Sequence, residues 1–544
     1  MKHRLAAAAT ALTLLTGTAP ALPVQTVLTA QAEEALSGTC GGHAVWTLEN
    51  GTLTVSGTGD IVCRGWILEE EGPEGWNGHR GEIERVIIED GITGIGSTAF
   101  AWCNSLTSVS LPDSVTYISS EAFVDCSSLT QISIPGSVRS IGWSAFGGCT
   151  ALTSVTMGDS VESIDSIAFD GCTSLTDVTL SGNITSFGSN VFRDTPWLAA
   201  RKEETAMLIV NGVLIDGSQC SGDVVIPDTV RIIADDAFMY SSMDTLTIPE
   251  GITSIGSMTF ARCGYLKSVK LPESLTSIGP SAFEDDSALT EITIPGGVTE
   301  IEGYAFCRCS ALEAVTIPAS VQEIGTYAFM DTPWLEARRE EDPFVIVNDI
   351  LIDGRAVKGV AEIPEGVRMI GASAFGSNGG SNTDLTGVVI PPSVTVIGET
   401  AFGGCTGLTE VVIPETVTSM QEWTFLNCDA LTDITILNPN CMLHRNSGAF
   451  GSNAVIHGNS ASTARIYAEE NGYAFRPIDD FVLFYGDCSL DGTVSVLDAV
   501  VLQKHLVNEA PLTVVQLHYA DFNYDDKVNI LDLAILKRLL LSQN

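Results

Sequence analysis

One aromatic residue recurs along this chain at a fixed interval, and it governs what the chain can fold into. Phenylalanine closes an Ala-Phe-like pair at Phe100, Phe123, Phe146, Phe169 and Phe192, every 23 residues. It resumes 46 residues later at Phe238 and continues through Phe260, Phe283, Phe306 and Phe329 to Phe375, Phe402, Phe425 and Phe450. Fourteen of the 20 phenylalanines occupy this one position. A large apolar residue placed once per period predicts stacked coils, each ring resting on the ring of the next. One coil alone cannot bury its apolar face, whereas a stack can.

The rest of the period supports the same reading. "LTSVSLPDSVTYISSEAFVDCSS", from Leu106, carries an L-x-x-V-x-I head, and with a period of 20–29 residues that head reads as a leucine-rich-repeat solenoid. Each coil is expected to supply a short parallel strand such as Thr290 to Ile294. The following proline ends the strand because it has no N–H to donate. V-x-x-I then turns the chain, and the Ala-Phe segment returns along the opposite wall in irregular or helical turns. Some sixteen coils at the usual strand spacing make a rod of roughly 75 Å. The strand positions expected to face outward are mostly hydroxyl-bearing: Ser110, Ser133, Thr156, Thr179, Thr247, Thr293, Thr316 and Thr435. Such a ladder suits a sheet and offers little to stack on. Trp102, Trp143 and Trp423 occupy three different coil positions and are expected to be partly packed.

There are 14 cysteines. Eight of them, Cys103, Cys126, Cys149, Cys172, Cys263, Cys309, Cys405 and Cys428, lie three residues after the repeat phenylalanine. They form one ladder position and are expected to be buried free thiols acting as small apolar residues. Cys40 and Cys63 lie outside the ladder, and whether they bridge is left open. Two stretches depart from the repeat: "DTPWLAARKEETAMLIVNGVLIDG" from Asp194 and "DTPWLEARREEDPFVIVNDILIDG" from Asp331, 137 residues apart. Each predicts a short helix and then a hairpin, with Asn211-Gly212 or Asn348-Asp349 at the turn. Both hairpins are expected to project from the rod.

"MKHRLAAAATALTLL" and "AQA" (Ala30 to Ala32) read as a secretory leader with its cleavage site. No apolar run is long enough to span a bilayer, so an exported chain without membrane insertion is expected. The net charge of −41 argues against nucleic acid and anionic lipid as partners.

The last sixty residues contain two near-copies of one device. In "GDCSLDGTVSVLDAVVLQKHL", oxygen-bearing residues fall at positions 1, 3, 5, 9 and 12 from Asp487, namely Asp487, Ser489, Asp491, Ser495 and Asp498. Gly492 stands at position 6, and the Thr493 carbonyl is available at position 7. In "ADFNYDDKVNILDLAILKRLL" the same places hold Asp521, Asn523, Asp525, Asn529 and Asp532, with the Lys527 carbonyl and Asp526 at position 6. This is the EF-hand ligand rhythm, suited to Ca²⁺ and its hard oxygen donors. Each loop has Asp rather than Glu at position 12, and only one helix follows each.

The coils resemble the BspA-type leucine-rich repeats of bacterial surface proteins. Ser37 to Ile61 resembles their N-terminal cap and Ile456 to Ile478 their closing segment. The paired loops resemble a type I dockerin. The resulting expectation is a leucine-rich-repeat solenoid followed by a small all-α calcium-binding dockerin. Its parts are a leader over 1–32, an N-terminal cap over 33–90, repeats over 91–451, a cap and linker over 452–484, and the dockerin over 485–544. The dockerin resemblance implies two Ca²⁺ ions and a cohesin module of a scaffoldin as partner, in an extracellular or cell-surface cellulosome. By position, it implies cohesin contacts at Val496, Leu497, Gln503, Lys504, Ile530, Leu531, Lys537 and Arg538. For the repeats, the BspA-type resemblance implies adhesion or another binding role, and because the hydroxyl ladder is a poor stacking surface a protein partner is favoured over a plant glycan.

Catalytic motifs are scarce. H-E-x-x-H, G-x-S-x-G and the P-loop are missing, and His43, His79, His444, His457, His505 and His518 are scattered. Abundant carboxylates leave a glycosidase-like pair open on spacing alone. The coils leave no segment of domain size for a catalytic module, and a non-catalytic protein is expected.

Overall fold

The computed structural model describes residues 35–62, 75–376, 382–444, 450, 453–479, 486–490, 493–512, 514–522 and 527–542. The expected leader lies outside these residues, as does Cys63.

The chain forms a parallel solenoid opened by an antiparallel meander. Strands β1 (Leu36–Thr39), β2 (His43–Glu49) and β3 (Thr52–Ile61) pair in sequence. Strand β3 then continues in parallel with both Arg85–Ile88 and Ile92–Ile95. Each following coil contributes two strands rather than one. The first is the expected strand, as at Gln131–Ile134 and Ser154–Met157, paired in register one period apart. Its observed length is slightly shorter than the pattern suggests, Glu291–Thr293 where Thr290 to Ile294 was expected. The second is the V-x-x-I segment. It does not merely turn the chain: its last two residues form a second ladder, Ser140–Ile141 beside Tyr117–Ile118 and Ser163–Ile164. The outward positions Ser110, Ser133, Thr156, Thr179, Thr293 and Thr316 are exposed as expected.

The wall carrying Ala-Phe has no strand, yet it is tied by backbone hydrogen bonds. Phe100, Phe123 and Phe146 N–H groups donate to the carbonyls of Ala122, Ala145 and Ala168 on the next coil, at 2.8, 2.7 and 2.8 Å. The phenylalanine carbonyl is used as well. The thiols of Cys126, Cys149, Cys172, Cys263, Cys309 and Cys428 donate to the Phe carbonyl of the preceding coil at 3.0–3.2 Å. All 13 described cysteines are buried free thiols. Burial pushes Cys103, Cys172 and Cys263 up to about 12, so the reactive thiolate is scarce at neutral pH.

The rings stack as the period demands. From Phe100 to Phe192, from Phe238 to Phe329 and from Phe375 to Phe425, successive centroids lie 5.1–5.4 Å apart. Trp76 heads the column, stacked on Phe100 at 5.1 Å with its indole N–H donating to Ala99 O at 2.9 Å. Trp46 meets Trp76 edge-on at 6.0 Å. At the other end, Tyr467 and Tyr473 meet Phe450 edge-on at 5.7 and 5.8 Å.

The two irregular stretches form helix α1 (Pro196–Glu204) with strands Leu208–Val210 and Val213–Asp216, and helix α2 (Pro333–Glu341) with strands Val345–Val347 and Ile350–Asp353. Thr195 and Thr332 cap the helices, each hydroxyl accepting an N–H at 3.2 Å. The expectation that the hairpins project is not met. The second strand of each joins the short-strand ladder, beside Ile232–Ile233 or Met369–Ile370. The turn asparagines are tied down too: Asn211 donates to Leu180 O and Asn348 to Pro318 O. Each stretch is therefore a variant coil. Its glycine takes the phenylalanine's place, for Gly217 and Gly354 donate to Ala237 O and Ala374 O as a repeat Phe would. A Cβ at either would lie 2.4 or 2.5 Å from the next Phe ring. Trp197 and Trp334 pack against Phe192 and Phe329 instead, at 4.8 and 4.7 Å.

Asp286, three residues after Phe283, puts a carboxyl where eight of the fourteen coils have cysteine. It is fully buried. Its Oδ1 accepts the Cys263 N–H at 2.7 Å, while its Oδ2 has no partner. Burial holds its carboxyl well above the usual carboxylate range. A raised folded-state pKa means that folding takes up a proton: the cost is absent below the unfolded pKa and grows as pH rises toward the folded one. Asp286→Asn keeps the acceptor and should stabilise the rod at pH 7. That gain should fade as pH falls to about 4, near the unperturbed carboxylate value, as read by denaturant unfolding across pH. A second expectation concerns the stack itself. Phe283→Ala should cost about 3–5 kcal/mol, with hydrogen exchange accelerated first in the adjoining coils.

Candidate functional site: the paired terminal loops

The chain ends in helices α4 (Val496–Leu506), α5 (Val514–Ala520) and α6 (Ile530–Ser542). Helices α4 and α6 pack on each other through a small core that includes Leu502, Ala499, Leu533 and Leu536. Helix α5 faces the rod, where Tyr519 packs on Ile466 of the closing helix α3 (Thr463–Asn471) and the Arg465 guanidinium lies 5.8 Å from its ring.

Each loop is closed by the aspartate at position 12. Asp498 is fully buried and accepts N–H bonds from Ser489 at 2.8 Å and Ser495 at 2.6 Å. It thereby completes a capping box at the start of α4, with Ser495 as N-cap. Asp532 is equally buried and accepts from Phe522 at 2.9 Å and Asn529 at 2.8 Å. The loop-to-helix junctions also match: Leu497 N–H donates to Ser495 Oγ at 3.1 Å, and Leu531 N–H to Asn529 Oδ1 at 2.8 Å.

The donor set fits a hard dication. Asp487 and Asp498 are both fully buried in one short loop, and Ser489 joins them by donating its hydroxyl to Asp487 at 3.3 Å. Carboxylates gathered away from water are costly unless a cation shares their charge. The Cys488 thiol between them is pushed up to about 12 by burial, with added repulsion from Asp498, Asp487 and Asp532. Asp521 is half-buried, and Thr493 and Lys527, expected to bind through their carbonyls, are exposed. The Lys527 carbonyl also accepts from Asn529 at 3.2 Å. Asp491, Asn523 and Asp525 lie outside the described residues. Among the described residues, no three acidic, histidine or cysteine side chains converge on one metal position.

The expected contact residues lie on the surface of α4 and α6. Val496 and Ile530 are each 71% exposed, and Leu497 and Leu531 each 51%. Gln503, Lys504, Lys537 and Arg538 are exposed beside them. Two apolar pairs with the same exposure, at matching places on two packed helices, make a surface of approximate twofold likeness.

Rod and terminal domain together define a class: a leucine-rich-repeat solenoid joined to a dockerin. The chain belongs to the BspA-type leucine-rich-repeat family, whose model matches residues 79–199, 218–336 and 368–467. The intervals between these matches contain the hairpins of both variant coils. The model of the type I dockerin domain matches residues 485–541; the domain implies calcium binding and docking to a cohesin, as in cellulosomes. Both modules are non-catalytic types. No curated protein matches the chain. Among solved structures, a leucine-rich repeat protein from Bacteroides ovatus is 20% identical, covering 80% of this chain and 98% of its own at a TM-score of 0.25. A leucine rich cell surface protein from Faecalibacterium prausnitzii is 21% identical, with coverages of 78% and 95% and a TM-score of 0.26. The pneumococcal vaccine antigen PcpA is 14% identical, with coverages of 81% and 98% and a TM-score of 0.26. Among the described residues, no helix is long and apolar enough to cross a membrane.

Calcium should set the stability of the terminal domain, because its core is small and its loop carboxylates repel one another. Chelation should unfold α4 and α6 while leaving the rod folded, giving two separate calorimetric transitions where calcium shifts only one. Asp487→Ala should weaken calcium binding at the first loop, as read by titration calorimetry.

Proposed function

We infer that this is a secreted, non-catalytic binding protein that its dockerin fastens to a cohesin-bearing scaffoldin of an extracellular cellulosome. Two Ca²⁺ ions hold the dockerin, one in each loop, and the repeats display a surface to a protein partner. The observation that carries this reading is the duplicated surface of α4 and α6: apolar pairs left open to solvent next to Gln503, Lys504, Lys537 and Arg538. Exposed leucine, valine and isoleucine at the head of two helices are an unfavourable surface unless a partner covers them. The long regular rod supports a display role, since its coils account for most of the chain and are shaped for contact over length.

The likeness of the two faces supports docking in either of two orientations. Charged replacement of Val496 and Leu497 alone should leave cohesin binding nearly intact, because the α6 face still serves. Replacing Ile530 and Leu531 as well should abolish it. Calorimetry against cohesin modules of the same organism, with calcium and with chelator, reads both effects. Failure to bind any such cohesin would remove the docking reading, and full-strength binding in chelator would remove the role of calcium.

A further inference from the structure

A second feature lies on the rod, far along the chain from the dockerin loops. Two residues before each repeat phenylalanine, the wall makes a left-handed turn whatever the side chain: φ is +57° at Thr98, +51° at Ser144, +54° at Asn190 and +54° at Ser281. This position recurs once per coil; its serines at 144, 281 and 373 are buried, whereas larger side chains there reach partly into solvent. Over most of the rod it holds small, polar or aliphatic residues. It is aromatic three times, at Tyr304, Tyr327 and Trp423, with φ of +60°, +54° and +54°. A left-handed backbone is least favourable for bulky residues, so these rings stand where the fold accepts them at a cost.

All three line one groove of about 940 Å³, within the range of small-ligand sites. The groove spans the second variant coil: its lining comes from the coils before and after residues 331–354 and from none of those residues. The variant coil lacks the outward turn, and the wall dips there. Tyr304 and Tyr327 stand at one end, edge to face at 5.6 Å, with the Arg355 guanidinium 5.4 Å from the Tyr327 ring. Arg355 is itself held by Asp353 at 2.5 Å. Trp423, 39% exposed, stands at the other end. Four coil spacings separate Tyr327 from Trp423, roughly 19 Å at the usual strand interval. The floor between them is polar and uncharged, with Ser373 Oγ and Thr400 Oγ1 2.7 Å apart. Carboxylates stand along the sides, Glu302 and Glu399 among them, and none of the lining residues is a lysine or arginine.

We propose that this groove binds a neutral oligosaccharide chain, its sugar rings lying along the floor between the tyrosine pair and Trp423. The chemistry follows from the lining. Flat rings at both ends cover the apolar C–H faces of pyranoses, and carboxylates and hydroxyls between them meet sugar hydroxyls. The acidic sides disfavour an anionic ligand, and the Arg355 guanidinium, already paired with Asp353, occupies the place over the Tyr327 ring that a cationic ligand would seek. The first variant coil has a smaller recess of about 310 Å³, and there the position of Tyr327 is held by Asn190, whose amide donates to Asp236. The two recesses are therefore not equivalent, and the aromatic one is the binding site.

This proposal goes beyond docking and does not depend on it. The test runs the full chain, with calcium, through native gels containing soluble mixed-linkage glucan, xyloglucan, galactomannan or arabinoxylan, followed by calorimetry with oligosaccharides of whichever polymer retards it. Retardation by at least one is expected. Trp423→Ala and Tyr304→Ala should each weaken binding about tenfold or more, as removal of a central aromatic anchor does. Trp423→Phe should restore part of it, and Trp143→Ala, at an exposed tryptophan outside the groove, should change nothing. Thermal unfolding confirms that each variant keeps its rod. Retardation by none of the four polymers, affinity unchanged in Trp423→Ala, or binding to a lysine-rich peptide alone would overturn the proposal.

Discussion

Between the two strand ladders and across the strandless wall, each regular coil of the rod is fastened to the next at the repeat phenylalanine, which bonds through up to three of its parts. Its ring lies 5.1–5.4 Å from the neighbouring ring through most of the column. Its N–H bonds forward to a carbonyl of the next coil, most often an alanine's, and where the following coil carries the ladder cysteine its carbonyl accepts that thiol. A wall without strands is thus hydrogen-bonded as fully as the two strand ladders beside it. Buried backbone groups must find partners, and here the column supplies them. The cysteines need no oxidation to contribute: a small, weakly donating side chain fits under a ring, and the high thiol pKa keeps it chemically quiet.

The same constraint explains the variant coils. A helix and hairpin can replace a coil only if something occupies the phenylalanine position without colliding with the ring above. Gly217 and Gly354 meet this condition by having no side chain, and Trp197 and Trp334 reach in from α1 and α2 to pack on the ring below. The hairpins of the replaced stretches sit in the two gaps between family matches, while α1 and α2 begin inside the matched segments. The departures in sequence are changes of content within an unbroken stack.

Much of this was legible in the sequence because the period writes itself in large residues. Phe283 or Cys149 can be placed on the column by counting. Gly217 could not, because its role is the absence of a side chain among 52 glycines. Trp76 was missed although it stands 24 residues before Phe100, since only the fold shows a tryptophan serving in the phenylalanine column. Tyr304, Tyr327 and Trp423 share a coil position that counting back from the phenylalanine would have revealed. That their backbone is left-handed and their rings border one groove depends on the wall's turn and on the dip at the variant coil, which no local pattern encodes. Trp143 and Trp423, expected to be partly packed, are 46% and 39% exposed. In the dockerin, the positions named by the family resemblance stand exposed on α4 and α6. The hydrogen bonds that bury Asp498 and Asp532 came only with the structure.

The edge-on rings at the two ends of the column have a consequence for the molecule as a material. A stack that ended on an open, face-presenting ring, beside two ladders of unsatisfied strand edges, would be a growing tip to which a second chain could add its own coils. Trp46 against Trp76 and Tyr467 with Tyr473 against Phe450 turn the last faces aside. They stand where the chain stoppers of a supramolecular polymer would, closing both ends of an otherwise extendable column of rings.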